Sequence, residues 1–295
     1  MNNIIRQICN INGIQPTEIK RISVGLDNYV FSIKTENKKY VVRCNITPYN
    51  ETIELTETLY NLGVPVAQIL FAGKYQDLYY MISVCIDGKD LGLVYADLSI
   101  EDKRIIANEV CDIQNKVSAV ELTQSFNQSD WVEQMLKRAI ERIAKNKYFN
   151  LTKVDSVADL SKRFEKYFRS IKPVAYLDDI STKNLMIDNG RVSGVVDIDC
   201  LGYGDPLTFV ALTNVALLND GNDTAYIDFL LEKMKISPKQ KEAFLFYSLL
   251  YCVDFMGERG MSFNGNTVEV SSEIISRLNA IYDRLLADLE RESLM

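Results

Sequence analysis

Three oxygen-bearing side chains stand at a spacing that chemistry can use. Asp179 and Asn184 are separated by four residues, the apolar run Leu185-Met186-Ile187 follows, and Asp197 comes directly after the run Val192 to Val196. Between the two runs lies Asp188-Asn189-Gly190. Asn-Gly is a hairpin signal, because both residues tolerate the positive φ of a tight turn. A hairpin brings its outer ends together. Asn184 and Asp197 are therefore expected at the open end, with Asp179 on the loop leading in. Two carboxylates and an amide oxygen suit Mg²⁺, which takes a few hard oxygens plus phosphate oxygens and water. Phosphoryl transfer asks a protein for positioning and charge neutralisation. A carboxylate beside an incoming hydroxyl can orient it and accept its proton. Taken singly, each residue is also an ordinary turn or cap residue; the ordered set is what points to chemistry.

Composition narrows the alternatives. The chain has 295 residues and no histidine. That excludes a Ser-His-Asp triad, a Cys-His pair and a His-ligated zinc site. Carboxylates, amides, hydroxyls, thiols, Lys, Arg or a bound metal must carry any reaction. The 33 basic and 40 acidic residues give a formal charge of -7, and Lys and Arg are scattered rather than gathered into the stripe a nucleic-acid binder shows. The acidic balance serves solubility and, by long-range attraction, favours a cationic small-molecule substrate. No run reaches the roughly 18 apolar residues of a membrane span, and Met1 to Arg6 does not read as a signal peptide. A cytoplasmic protein with reduced, mostly buried thiols is expected from Cys9, Cys44, Cys85, Cys111, Cys200 and Cys252, with no CxxC pair among them.

The elements that must position the polar set are legible from periodicity. Ile4 to Cys9 has helical spacing. The second half of Ile22 to Ile33 alternates as a strand, and Tyr40 to Cys44 is its partner across the turn Asn37-Lys38-Lys39. Residues 51–62 read as a helix stopped by Gly63, with Pro65 beyond. Two further strands, Ala67 to Ala72 and Leu78 to Val84, are joined at Gly73 to Asp77. Past Ser83 to Asp90 the character changes. Helices are expected over Ser99 to Val117, Trp131 to Lys147, Val157 to Ser170, Pro206 to Leu218, Tyr226 to Lys233, Pro238 to Met256 and Val270 to Glu290. Val174 to Asp199 is short and strand-like. The expectation is an α+β chain, with a β-rich part over residues 1–87 and a mostly helical part over 88–295. A cleft between two such parts is a natural ligand site.

The order Asp179-x4-Asn184, strand, Asp197 resembles the kinase catalytic loop and metal-binding Asp. The compact spacing, the run Gly194-Val195-Val196-Asp197 and the following Gly204-Asp205-Pro206 are similar to the aminoglycoside phosphotransferase and choline kinase branch. The resemblance runs from about residue 20 to 220 and implies a two-lobed protein-kinase-like fold. It implies Asp179 as catalytic base, Asn184 and Asp197 as Mg²⁺ ligands, and Asp205 as a structural brace. Asp199 is either a further metal ligand or a group supporting one. In the N-terminal part, Gly25 would sit at a phosphate-covering turn. Arg43 would contact phosphates, and Glu54 on the next helix would pair with it. Backbone groups around Val84 to Ile86 would hold the base of ATP or GTP. Two positions depart from the pattern: Leu177 stands where the family has a bracing His, and Arg43 stands where protein kinases have Lys. Arg binds phosphate with a different reach and geometry.

The implied activity is transfer of the γ-phosphate to a hydroxyl of a small molecule, with no nucleic acid, membrane or obligate protein partner. The acceptor is not encoded in any motif. Trp131 reads as packing, and Asp254, Glu258 and Glu269 as solvated helix charges rather than amine contacts. The main alternative is a pseudokinase, a nucleotide-binding regulatory protein, which Leu177 invites and the retained Asp179, Asn184 and Asp197 oppose. A protein kinase is disfavoured, because no long activation segment or Ala-Pro-Glu follows Asp197.

Overall fold

Alternation along two strands separates two faces of one sheet. In β3 (Lys39–Asn45) and β5 (Leu78–Val84) the register pairs Val42 with Ile82 and Cys44 with Tyr80, and one residue out of phase it pairs Val41 with Ser83 and Arg43 with Met81. Successive strand residues point to opposite faces. Val42, Cys44, Tyr80 and Ile82 therefore form a core with Phe31 and Ile33 of β2 (Tyr29–Lys34) and with Ile5, Ile8 and Cys9 of α1 (Asn2–Ile11). Val41, Arg43, Met81 and Ser83 line a cavity on the other face.

The computed structural model describes residues 1–22, 29–121, 125–263 and 266–294. It divides the chain into two compact units, Met1–Gly88 with Ser193–Cys200, and Lys89–Val192 with Leu201–Met295. In the first unit β1 (Glu18–Ile22), β2, β3, β4 (Ile69–Tyr75) and β5 make an antiparallel sheet of order β1-β2-β3-β5-β4. The helix α2 (Asn50–Asn61) contributes buried Thr56 to the cavity face. The turn between β4 and β5 is tighter than the sequence suggests. Gln76 takes a positive φ of 55°, and Gly73 lies inside β4, where a Cβ would stand 2.9 Å from the Tyr80 hydroxyl.

The second unit opens with β6 (Lys89–Asp90) and the single turn α3 (Leu91–Val94). It continues with α4 (Ile100–Val117), α5 (Gln128–Asn146), α6 (Thr152–Ser161) and α7 (Glu165–Ser170). Four short strands follow: β7 (Val174–Tyr176), β8 (Leu185–Asp188), β9 (Arg191–Val195), which ends in the first unit, and β10 (Gly202–Gly204). The remaining long helices are α8 (Leu207–Asn219), α9 (Ala225–Met234), α10 (Pro238–Glu258) and α11 (Ser272–Glu292). Capping boxes start two of them. Ser99 with Asp102 opens α4, and Ser237 with Gln240 opens α10, where Pro238 occupies the first turn. The helix α10 is buried almost all round and packs against α5, α8 and α11, as an apolar helix without a polar face must. The single helix expected over Val157 to Ser170 is broken by a 3₁₀ turn at Lys162–Phe164. That break accompanies the stacking of Phe164 on Phe246 at 4.8 Å, with Phe168 at 5.7 Å from the same ring.

Candidate active site

Ser193–Cys200 joins the first unit through backbone. The Val195 N–H donates to the Pro65 carbonyl at 2.9 Å, and Val66 and Val195 form a parallel bridge. Only glycine fits at 194: a Cβ there would lie 2.6 Å from Ile86 Cδ1 and 2.7 Å from the Pro65 oxygen. The chain then reaches Asp197 in the left-handed region, at φ 59°. Asp adopts this region more readily than most residues, and such a conformation persists where the surroundings hold it.

From β3, Arg43 Nη2 donates to Asp197 Oδ1 at 3.1 Å and to Asp199 Oδ2 at 2.8 Å. The guanidinium is mostly buried, while both carboxylates are about half exposed, with side-chain exposures of 54% and 47%. Its Nε–H is buried with no hydrogen-bond partner. Beside it lies Tyr49, whose hydroxyl is pushed well above the usual range by burial. Arg43 thus sits on the cavity wall with a donor still to satisfy. Its ion pairs run to Asp197 and Asp199 and not to Glu54, which is exposed on α2. The helix period explains this correction. Residues 54 and 56 are about 200° apart around an α-helix, and Thr56 is the one that faces the cavity. Val84 and Ile86 both line the same cavity, with Ala67, Val195 and Ile198. The Val84 N–H is taken by the Gln68 carbonyl and the Cys85 N–H by that of Lys39. Among the described residues no hydrogen bond draws on the Ile86 N–H. Gly25 lies outside the described residues.

In the second unit the loop after β7 carries the other half of the polar set. Asp179 is exposed, and three groups fix its carboxylate and backbone. Ser181 Oγ donates to Oδ1 at 2.9 Å, Asn184 Nδ2 donates to Oδ2 at 2.9 Å and to the Asp179 carbonyl at 3.0 Å, and the Asp179 N–H donates to Asp178 Oδ1 at 2.9 Å. With Nδ2 turned to Asp179, the Asn184 oxygen is left as an acceptor for a cation. The donor left here is a hard oxygen, of the kind Mg²⁺ takes. Among the described residues no three His, Cys, Asp or Glu side chains gather into a ready-made cluster. That is compatible with an ion taking one or two carboxylates plus phosphate oxygens. Asp178 is held above the usual carboxylate range, by burial first and then by the charge of Asp179. Asp205 accepts from Tyr167 Oη at 2.7 Å and from the Leu207 N–H at 3.0 Å, and its own N–H donates to Gln128 Oε1 at 3.0 Å. It ties three segments of the second unit together around the start of α8.

A family model described as the phosphotransferase enzyme family matches residues 18–213. The chain belongs to the phosphotransferase enzyme family. No curated protein matches it in sequence, but its fold has solved counterparts. A thermostable mutant of aminoglycoside phosphotransferase APH(4)-Ia is 17% identical, with a TM-score of 0.65 over 96% of this chain and 99% of that one. ADP-bound APH(2'')-Ib is 17% identical, with a TM-score of 0.64 over 95% and 96%. The streptomycin-ATP ternary complex of APH(2")-IIa is 17% identical, with a TM-score of 0.63 over 97% and 95%. At such identities the likeness is one of fold: the α+β, protein-kinase-like architecture with a sheet-bearing N-terminal part and a helical C-terminal part.

Within this phosphotransferase fold, the sequence alone misses two features. Leu177 is buried, and its backbone is gripped by Gln114 of α4. The available signal is a glutamine on the buried stripe of α4, in step with Ala107, Val110 and Val117. The second is Asp254, which is neither solvated nor free. It is 5% exposed and accepts from Arg138 Nε at 2.9 Å, Arg138 Nη2 at 2.8 Å and Arg142 Nη1 at 3.3 Å. Glu258 also pairs with Arg142. Neither arginine nor aspartate announces this pairing in sequence, because α5 and α10 are more than a hundred residues apart. Trp131 packs edge-on against Tyr247 and Tyr251.

Proposed function

We propose that this phosphotransferase is a kinase of hydroxyl-bearing small molecules, with ATP or GTP as donor. The observation that carries the reading is the fixed Asp179 carboxylate, exposed and gripped by Ser181 and Asn184. Arg43, its guanidinium mostly buried and its Nε–H unsatisfied, on the wall of a largely apolar cavity supports it. In this reading the base lies along Val84 to Ile86 and takes the free Ile86 N–H. Arg43 neutralises phosphate oxygens. Asp179 orients the acceptor hydroxyl and accepts its proton as the new O–P bond forms and the bond to the nucleoside diphosphate breaks. Asn184 and Asp197 are the proposed Mg²⁺ ligands, and the ion would supply charge neutralisation at the phosphates. Arg43 alone takes the place of the Arg43–Glu54 pair.

The acceptor is a small molecule with a hydroxyl. Solved relatives of this fold hold hygromycin B with AMP-PNP and streptomycin with ATP. The acidic balance of this chain is compatible with a cationic acceptor of that kind. Among the described residues no helix is long and apolar enough to cross a membrane. The buried thiols of Cys9, Cys44, Cys111 and Cys252 are compatible with a reducing compartment such as the cytoplasm as the place of action.

The test is the thermal midpoint of the wild type and of Asp197→Ala with ATP or GTP, each with and without Mg²⁺. A ligand that binds only the folded state raises the midpoint, by about 2.7 kcal/mol of stability at a hundredfold excess over Kd. The expected result is a Mg²⁺-dependent rise in the wild type that the variant lacks. No rise at millimolar nucleotide would defeat the kinase reading.

A further inference from the structure

The strand ladder that leads to Asp179 stops short of it. β7 pairs with β10 at Val174↔Gly204, Ala175↔Tyr203 and Tyr176↔Gly202, and among the described residues the ladder ends at Tyr176. Leu177, the next residue, still needs partners for its N–H and C=O, because it is buried and unpaired backbone groups there are costly. Both partners come from one side chain. Gln114 Nε2 donates to the Leu177 carbonyl at 2.9 Å, and the Leu177 N–H donates to Gln114 Oε1 at 2.9 Å. The amide of Gln114 behaves as a one-residue strand. Its orientation is fixed, since the reversed amide would set donor against donor. Gln114 is itself 7% exposed and sits in the last turn of an 18-residue helix that a capping box and a buried stripe hold in place.

We propose that Gln114 is a positioning residue for Asp179. It acts through the Leu177 backbone, two residues upstream, and fixes where the loop leaves the sheet. The proposal rests on the kinase reading of Asp179. Leu177 offers only an apolar side chain at the position that precedes the proposed base. The anchoring of that point is therefore done from outside the loop, by α4. Ser181 and Asn184 hold Asp179 from within the loop, but packing of the Leu177 side chain alone would not fix the direction in which the chain leaves β7. Two antiparallel hydrogen bonds set it. Displacements of the order of 1 Å at a reacting group cost about 10²-fold in rate.

The experiment compares the wild type, Gln114→Leu, Gln114→Glu and Asp179→Asn. Formation of ADP or GDP from the Mg²⁺ nucleotide is measured between pH 5 and 8, together with nucleotide Kd and hydrogen exchange of peptides covering 174–184. Gln114→Leu is close in size and removes both bonds. It is expected to bind nucleotide within about twofold of the wild type, to exchange faster at 177–179, and to turn over about 10²-fold more slowly. Gln114→Glu carries the sharper signature. Ionised, it has no proton for the Leu177 carbonyl; protonated, its O–H donates there while its other oxygen accepts from the N–H. Its rate per folded molecule relative to the wild type, with the folded fraction followed by circular dichroism, should therefore recover as pH falls, which a global loss of folding would not produce. A folded Gln114→Leu with wild-type turnover, or a Gln114→Glu ratio that is flat with pH, overturns the proposal. A wild type no faster than Asp179→Asn with either nucleotide overturns the kinase reading itself, and the positioning role falls with it.

Discussion

The two carboxylates of the motif differ in how the chain restrains them, and this fixes what their removal should do. Asp179 holds its oxygens toward Ser181 and Asn184, and among the described residues no ion pair reaches it, so under the proposed mechanism replacing it removes the proton acceptor and little else. Asp179→Asn should leave nucleotide affinity within about twofold and lower turnover by about 10²–10⁴-fold, the range of general-base catalysis. Calorimetric titration beside a turnover assay checks this, and a variant with equal loss of affinity would contradict the assignment. Arg43 is the opposite case, because it neutralises Asp197 and Asp199 together. Arg43→Met would leave two half-exposed carboxylates facing the incoming phosphates. Nucleotide Kd should rise by about tenfold or more, about 1.4 kcal/mol, with Arg43→Lys recovering part of it through charge without the guanidinium's fork. An unchanged Kd in Arg43→Met would remove Arg43 from the phosphate site.

At the scale of elements, two contacts carry the first unit. The stripe Ile5, Ile8 and Cys9 of α1 closes one face of the sheet, and Ile8 is fully buried there. Ile8→Ala should cost about 2–5 kcal/mol in chemical denaturation, through lost transfer energy and the cavity it leaves. Gly194 carries the other contact, because no Cβ fits between Ile86 and Pro65. Gly194→Ala should displace Ser193–Cys200 from Val66. It should then weaken nucleotide binding more than Ile8→Ala does at equal stability loss, a comparison that separates docking of the segment from general destabilisation. These elements also mark the limits of reading the chain from sequence. Helices with a capping box and strands with strict alternation are legible because their signals are local: Ser99 to Val117 is expected and α4 spans Ile100–Val117. The Asn189-Gly190 turn is legible for the same reason, with both residues at positive φ. The return of Ser193–Cys200 to the N-terminal residues is not legible, since it depends on backbone contacts between residues about 130 apart. Neither is the partner of Arg43. Sequence order offers Glu54, and only the phase of α2 shows that Thr56 faces inward.

Among the described residues the carboxyls that depart from their ordinary range owe this more to burial than to pairing. Of these, the buried Asp205 and the half-buried Asp90, Asp178 and Glu258 are held above the usual carboxylate range, with burial as the first cause in each. Asp223 is lowered instead, by its hydrogen bond from Lys103. A carboxyl with a raised folded value keeps its proton in the native state at a pH where the unfolded chain has released it. The native state then binds more protons, and stability falls as pH rises from the unfolded value, about 4, through the folded one. Asp223 has the opposite sign, and its contribution is lost as pH falls through its lowered folded value. With these carboxyls set against Asp223 among the described residues, the first effect should prevail on the acid side, and the formal charge of -7 adds self-repulsion in the same direction as carboxylates ionise. At high pH the thiols repeat the pattern. Burial pushes Cys9 and Cys111 up to about 11 and Cys44 and Cys252 up to about 12, so their contribution falls away once pH passes the ordinary thiol value of about 8.5. The thermal midpoint of the nucleotide-free protein should therefore be higher just above the unfolded carboxyl value of about 4 than at neutral pH, and should drop again above pH 9. A midpoint that rises steadily from about pH 4 to neutral pH would mean that ion pairs such as Lys103–Asp223, and not the shielded carboxyls, dominate the native state's proton balance.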